Sequence, residues 1–176
     1  TYSGSLYVSE YELSTYMEET IDAFRSYANI KHINLTYESS FRYLNVWLDK
    51  DKMDSILKNI ISNALKYTPD GGNVHVFTSE TEDTWSIEVK DTGIGIPASE
   101  QKKLFKMHFR GSNAINSKVT GSGIGLLLVG KLVHLHKGKL NFSSMEGKGS
   151  CIKITFPKGN KHFRKAIQRP QPQNER

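Results

Sequence analysis

The chain has one cysteine, so no disulfide can form within it; that suits a reducing compartment. Cys151 lies in an apolar, alternating run and reads as a small core residue. No stretch approaches the roughly 18 apolar residues of a membrane span, and no signal peptide opens the chain, which predicts a soluble piece. It starts on Thr1 rather than Met, as expected of a segment excised from a longer protein. There is no internal repeat. His134 and His136 lack an acid or thiol at metal-ligand spacing, which disfavours zinc, and no Ser–His–Asp arrangement can be argued. One absence is local: between Glu100 and Glu146 there is no carboxylate at all.

At 176 residues the chain is about one domain long and can bury a sizeable core. Its formal charge of +6 would suit a polyanion, but residues 158–176 hold six Lys or Arg and one Glu, leaving +1 for residues 1–157. No aromatic-interleaved basic surface accompanies that tail, so nucleic acid is disfavoured.

Ser9 with Glu12 reads as a capping box, and Leu13, Met17, Ile21, Phe24 and Ala28 follow at helical spacing, predicting a helix of about five turns. Strands are expected from Ile33 to Glu38 and Tyr43 to Leu48. A helix then starts near Asp49 or Asp51 and ends before Thr68-Pro69. Asp70-Gly71-Gly72 turns the chain into two alternating strands, with Val74 and Val76 on one face and then Trp85, Ile87 and Val89; Trp47 and Trp85 read as core or strand residues. Ala98 to Phe105 reads as a short helix after Pro97, residues 106–122 as a polar loop, and Gly123 to Lys137 as a strongly apolar helix. Strands from Lys139 to Ser144 and Ser150 to Phe156 flank Glu146-Gly147-Lys148-Gly149. The Pro-containing tail reads as linker. The expected fold is an α/β (α+β) two-layer sandwich, with a mixed, mostly antiparallel sheet covered on one face by helices.

On the helix ending at Tyr67, apolar residues from Met53 to Leu65 fill one half of the wheel, and Asn59, Asn63, Lys66 and Tyr67 fall beside it. Asn and Lys could simply be a solvated face. Yet Asn is a poor helix former, whereas an amide oxygen is a fair ligand for Mg²⁺ on a triphosphate and Lys a phosphate charge. Asp91 closes a strand before Gly93 and Gly95, so its carboxylate can face a crevice; an Asp-Gly turn is the plainer alternative. Gly93 to Ala98 also fits a loose dinucleotide fingerprint, but the acid required about 20 residues later is absent. The acid-free stretch holds eight cations in 45 residues, among them Arg110, around Gly121, Gly123 and Gly125. That suits a polyphosphate held by backbone N–H groups, a helix N-terminus and Arg110 or a Lys.

In these segments the chain resembles the catalytic, ATP-binding domain of sensor histidine kinases, in the superfamily shared with type II topoisomerases, ninety-kilodalton heat-shock chaperones and MutL-type repair proteins. Asn59 to Tyr67 looks like the N box, Asp91 to Gly95 the G1 box, Leu104 to Arg110 the F box, Gly121 to Gly125 the G2 box and Gly147 to Ser150 the third glycine motif. The resemblance implies residues 1–30 as the end of a dimerisation helix, 31–158 as the catalytic domain and 159–176 as a basic linker, similar to the spacer before a receiver domain in hybrid sensors. It implies ATP and Mg²⁺ as cofactors. Asn63 would hold the metal, Asn59 would assist, Lys66 would contact phosphate or ribose and Tyr67 would flank adenine. Asp91 would accept from the adenine amine with support from Ser150, Arg110 would meet the phosphates, and the glycines of 121–125 would anchor a lid. Gly93, Gly95, Ile96 and Leu126 complete the implied nucleotide site. Implied partners are a dimerisation and histidine-phosphotransfer segment and a receiver domain, in a cytoplasmic portion of a membrane-anchored, homodimeric parent.

Two departures stand out. His108 takes the place of an F-box aromatic, and none of the six His carries the acceptor motif of this family. The leading expectation is therefore a kinase domain phosphorylating a histidine outside the chain. The alternative is an ATP-hydrolysing or clamp-type ATPase of the same superfamily, whose members resemble one another in keeping a Glu where Asn59 stands. A nucleotide-free interaction module would leave the Asn pair and three glycine clusters without a cause.

Overall fold

The structure is a computed structural model, and residues 5–103, 125–163 and 167–168 are described. In chain order the elements are β1 (Tyr7–Glu12), α1 (Leu13–Asp22), α2 (Arg25–Ile30), β2 (Asn34–Ser39), β3 (Asn45–Leu48), α3 (Lys50–Tyr67), β4 (Asn73–Glu80) and β5 (Thr84–Asp91). A 3-10 turn (Ala98–Lys103), α4 (Gly125–Leu135), β6 (Lys139–Met145), β7 (Gly149–Pro157), a second 3-10 turn (Lys161–Phe163) and β8 (Ile167–Gln168) follow. Five strands form the main sheet in the order β2-β4-β5-β7-β6, and β3-β1-β8 form a smaller one. In the main sheet only β2 and β4 run parallel. Their link passes through α3, since parallel neighbours need a crossover. This is the expected mixed, mostly antiparallel sheet.

Alternation sets the two faces of the sheet. Val74, Val76, Trp85, Ile87, Val89, Ile152, Ile154 and Phe156 point into one core with the apolar stripes of α1, α3 and α4. On α3 that stripe is Met53, Ile56, Leu57, Ile60, Ile61, Ala64 and Leu65, all buried. Each fully buried Leu, Ile or Met contributes about 1.5–3 kcal/mol, so this face alone decides how α3 lies. Asp49 caps its start, accepting from the Lys52 amide at 3.1 Å and from the Tyr7 amide of β1 at 2.9 Å.

Four expectations are corrected. Ser9 lies in β1 and caps nothing; Glu12 is the cap, its carboxylate accepting from Ser14 N at 2.9 Å and Thr15 N at 3.1 Å. The five-turn helix is two helices, parted at Ala23-Phe24, where Thr20 Oγ1 donates back to Tyr16 O at 2.8 Å, a bond that tends to bend a last turn. Leu13, Met17, Ile21 and Ala28 lie in the same core as α3. Past residue 158 the chain is not bare linker: Phe163 is buried with Leu6 and Val8, and β8 pairs with β1. Finally, Cys151 is half-buried on the sheet face away from the helices, because its strand neighbours Ile152 and Ile154 take the core side.

Candidate nucleotide site

The C-terminal half of α3 carries the candidate residues. Asn59, Asn63, Lys66 and Tyr67 are all half-buried at the edge of the apolar stripe. Asn59 commits its amide N–H to Ser55 O at 2.7 Å, which leaves its oxygen for other partners. The Asn63 side chain makes no hydrogen bond among the described residues. A helix amide left unbonded at the border of a core is poised for a ligand, and an amide oxygen suits a hard cation. No group of three or more His, Cys, Asp or Glu that could hold a metal occurs among the described residues. Mg²⁺ arriving on a nucleotide, with phosphate oxygens supplying most ligands, fits this donor set.

A helix ends with four carbonyls unpaired, and at the end of α3 three partners satisfy all four. Ala64 O accepts from Thr68 Oγ1 at 2.6 Å, Leu65 O and Lys66 O from Lys31 Nζ at 2.7 and 3.2 Å, and Tyr67 O from the Ile94 amide at 3.0 Å. Pro69 explains why no further turn forms, since it pushes Thr68 out of the helical region. Tyr67 O is therefore the joint between the Asn-bearing helix and the loop after β5.

On that loop, Asp91 stands opposite Ser150 in the β5–β7 register. Its Oδ1 accepts from Gly93 N at 2.8 Å and Ser150 N at 3.2 Å, while Oδ2 has no hydrogen bond among the described residues. Burial raises the Asp91 pKa above the ordinary carboxylate value, and the two amide hydrogen bonds oppose that shift. Ser150 thus supports Asp91 through its backbone amide; its hydroxyl instead meets Ser144 Oγ at 2.8 Å. Gly93 permits the close approach: a Cβ there would lie 2.5 Å from Tyr67 O and 2.7 Å from Asp91 Oδ1. Gly95 has φ +68 and lies against the Met145 carbonyl, which would stand 2.1 Å from an added Cβ.

Three residues that the sequence reading missed complete this loop. Ser144 Oγ accepts from Ile96 N at 2.7 Å, and Gln101 Nε2 donates to Ile96 O at 3.0 Å and Ser144 O at 2.8 Å. Ser144 faces Ser150 across the β6–β7 hairpin, so pairing the strands about Glu146–Gly149 would have found it. Lys31 had no local signal, since it lies 34 residues from Leu65. Of the other expected site residues, Gly125 opens α4 and Leu126 is half-buried against the core. Arg110, Gly121, Gly123, the loop of 106–122 and His108 lie outside the described residues. A groove of about 460 Å³ between α1 and α3, lined by Tyr16, Phe24, Lys50, Asp54 and Lys58, is on the other flank of α3 from Asn59 and Asn63.

Comparison with known proteins bears on this geometry. The family model for histidine kinase-, DNA gyrase B- and HSP90-like ATPases matches residues 48–160, from the end of β3 past β7. The chain belongs to this ATPase family. Within the family it is 38% identical over 148 residues to the sensor histidine kinase WalK of Bacillus subtilis, covering 83% of this chain and 24% of that protein. It is 30% identical to the adaptive-response sensory kinase SasA of Rippkaea orientalis, covering 87% of this chain and 39% of that one. The chain thus spans well under half the length of these relatives. Among solved structures, the nucleotide-free catalytic domain of histidine kinase ThkA superposes with TM-score 0.74 at 22% identity, covering 87% of this chain and 98% of that domain. The two-layer fold is accordingly that of histidine kinase catalytic domains.

Proposed function

We propose that this domain binds ATP with Mg²⁺ and transfers the γ-phosphoryl group to a histidine on a dimerisation segment of its parent, a sensor histidine kinase. The observation that carries the reading is the joint at Tyr67 O. It sets Asp91 and Asn63 on adjoining elements of a fold whose relatives are histidine kinases, with Asp91 Oδ2 and the Asn63 amide unbonded among the described residues. Asp91 Oδ2 accepts the exocyclic amine of adenine, Oδ1 being held by two backbone amides. Tyr67 flanks the base beside Gly93, Gly95 and Ile96. Asn63 would hold the metal with Asn59 assisting, Lys66 would meet phosphate or ribose, and Arg110, the glycines at 121, 123 and 125 and Leu126 would serve the phosphate end of the nucleotide. The histidine nitrogen attacks the γ-phosphorus as the bond to the β–γ bridging oxygen breaks, and ADP leaves. When bound, Mg²⁺ neutralises phosphate charge; the chain's part is to position and to supply cations.

Asn59 favours transfer over hydrolysis. An amide is no base, and its N–H₂ is bonded to Ser55 O, so this position does not activate water. The parent is read as a membrane-anchored homodimer with this domain on the cytoplasmic side; no helix among the described residues is long and apolar enough to cross a membrane. ThkA has been solved with the response regulator TrrA, which supports a receiver domain as the next partner. The test is radiolabelled ATP given to this chain alone and to the parent's longer cytoplasmic piece. The chain alone should bind ATP, release little phosphate and stay unlabelled, while the longer piece acquires an acid-labile, base-stable phosphoryl group. Rapid phosphate release by the chain alone would favour an ATPase.

A further inference from the structure

We infer that Lys31, in the turn between α2 and β2, is a positioning residue for the nucleotide: its ammonium sets the end of α3 and, through it, the aim of Asp91. The inference rests on the ATP reading. Lys31 Nζ donates to Leu65 O at 2.7 Å, Lys66 O at 3.2 Å and Thr68 O at 2.7 Å, using its three hydrogens on three carbonyls. It stands where the helix dipole is negative and where two of the four orphan carbonyls have no alternative donor among the described residues.

The backbone it holds is the backbone from which Lys66 and Tyr67 project. One residue on, Tyr67 O accepts from Ile94 N at 3.0 Å and packs so closely on Gly93 that a Cβ would come within 2.5 Å. Gly93 N in turn fixes Asp91 Oδ1 at 2.8 Å. From the ammonium to the carboxylate the connection is thus a carbonyl, an amide and an amide, with no flexible side chain between. The Lys31 carbonyl also accepts from Gly71 N at 3.2 Å, which ties the turn carrying the lysine to the turn after α3. A helix end needing only a counter-charge would be served by a lysine of its own; here the cation comes from another element and reaches three carbonyls.

The test compares Lys31→Met, Lys31→Gln and Lys31→Arg with the unchanged chain. Calorimetry reads the affinities for ATP and GTP, and the amide resonances of Gly93 and Ile94 are followed in the free protein. Lys31→Met should shift both resonances, weaken ATP by about tenfold, equivalent to one lost charge-assisted hydrogen bond, and narrow the ATP-over-GTP preference. Lys31→Arg, which still reaches two carbonyls, should recover most of both. If Lys31→Met does not fold, Lys31→Gln carries the comparison, because its amide reaches one carbonyl without charge. A folded variant with unchanged ATP affinity and preference would overturn the inference. So would a loss of stability with no change in preference, since that is all a structural cap would give. Should the unchanged chain bind no ATP, the nucleotide reading itself fails, an outcome separate from equal binding by chain and variant.

Discussion

Replacing Asp91 by Asn separates the energy of holding a buried charge from the energy of using it. In the free domain the carboxylate is costly, because burial raises its pKa. A carboxylate with a raised folded value binds more protons folded than unfolded, so it lowers stability as pH rises through the interval from the unfolded to the folded pKa. Asn keeps an oxygen for Gly93 N and Ser150 N and removes the charge. The two bonds weaken with a neutral acceptor while the burial cost of the charge disappears, so the stability of Asp91→Asn should stay within about 1 kcal/mol of the unchanged chain, or rise. Binding should behave otherwise. The new N–H₂ takes the place of Oδ2 and faces the adenine amine donor to donor; losing a charge-assisted bond and leaving a donor unpaired costs about 1.5–3 kcal/mol, or about 10- to 100-fold in ATP affinity. Guanine presents a carbonyl there, so GTP should gain relative to ATP. Calorimetry with both nucleotides and a denaturant titration measure the two sides. A folded variant that holds ATP within about threefold of the original, with its preference intact, would refute the assignment of Oδ2 to the adenine amine.

Three further outcomes follow from the geometry. Asn63→Ala should remove most of the Mg²⁺ dependence of ATP binding, because the Asn63 amide makes no side-chain hydrogen bond among the described residues; titrations with and without the ion check it. His136 is buried and neutral, accepting from Asp49 N at 3.2 Å with its other nitrogen 2.8 Å from Leu132 O, and burial lowers its pKa from the ordinary 6.5. The stability it contributes as a neutral ring is therefore fully present above roughly pH 6.5 and lost as pH falls from there through the lowered folded value, so denaturant midpoints should drop over that range and His136→Gln should flatten the drop. Phe163→Ala should cost about 3–5 kcal/mol by thermal or chemical unfolding, because the ring is 4% exposed against Leu6 and Val8; an unchanged midpoint would return residues after 158 to the status of linker.

How much was legible differs between elements. α3 was predicted with its cap and its end nearly in place, since Asp49, the 3.6-residue apolar stripe and Thr68-Pro69 are local signals of the same boundary. The paired strands and their faces followed from alternation, and Asp91 and Asn63 stood out through residue type at a position with an unusual local context. The first helix misled because a helical spacing of apolar residues survives a two-residue turn, and because Ser9 matched a capping pattern while sitting in a strand. Cys151 was assigned to the wrong face because its residue type outweighed its parity: it alternates with Ile152, Ile154 and Phe156, which take the core side.

By itself, then, the sequence determined the layers, the helix that carries Asn59 and Asn63, and the acid–glycine loop at Asp91, because period, caps and breakers act within a few residues. Tertiary structure alone decided that Phe163 closes over β1, that Ser144 and Gln101 hold Ile96, and that Lys31 completes the end of α3. Most of those partners lie far apart in the chain, Ser144 48 residues from Ile96 and Lys31 34 from Leu65. The polar ones meet donors or acceptors left over by the secondary structure and Phe163 meets the apolar side of β1, conditions that exist only once the chain has come together.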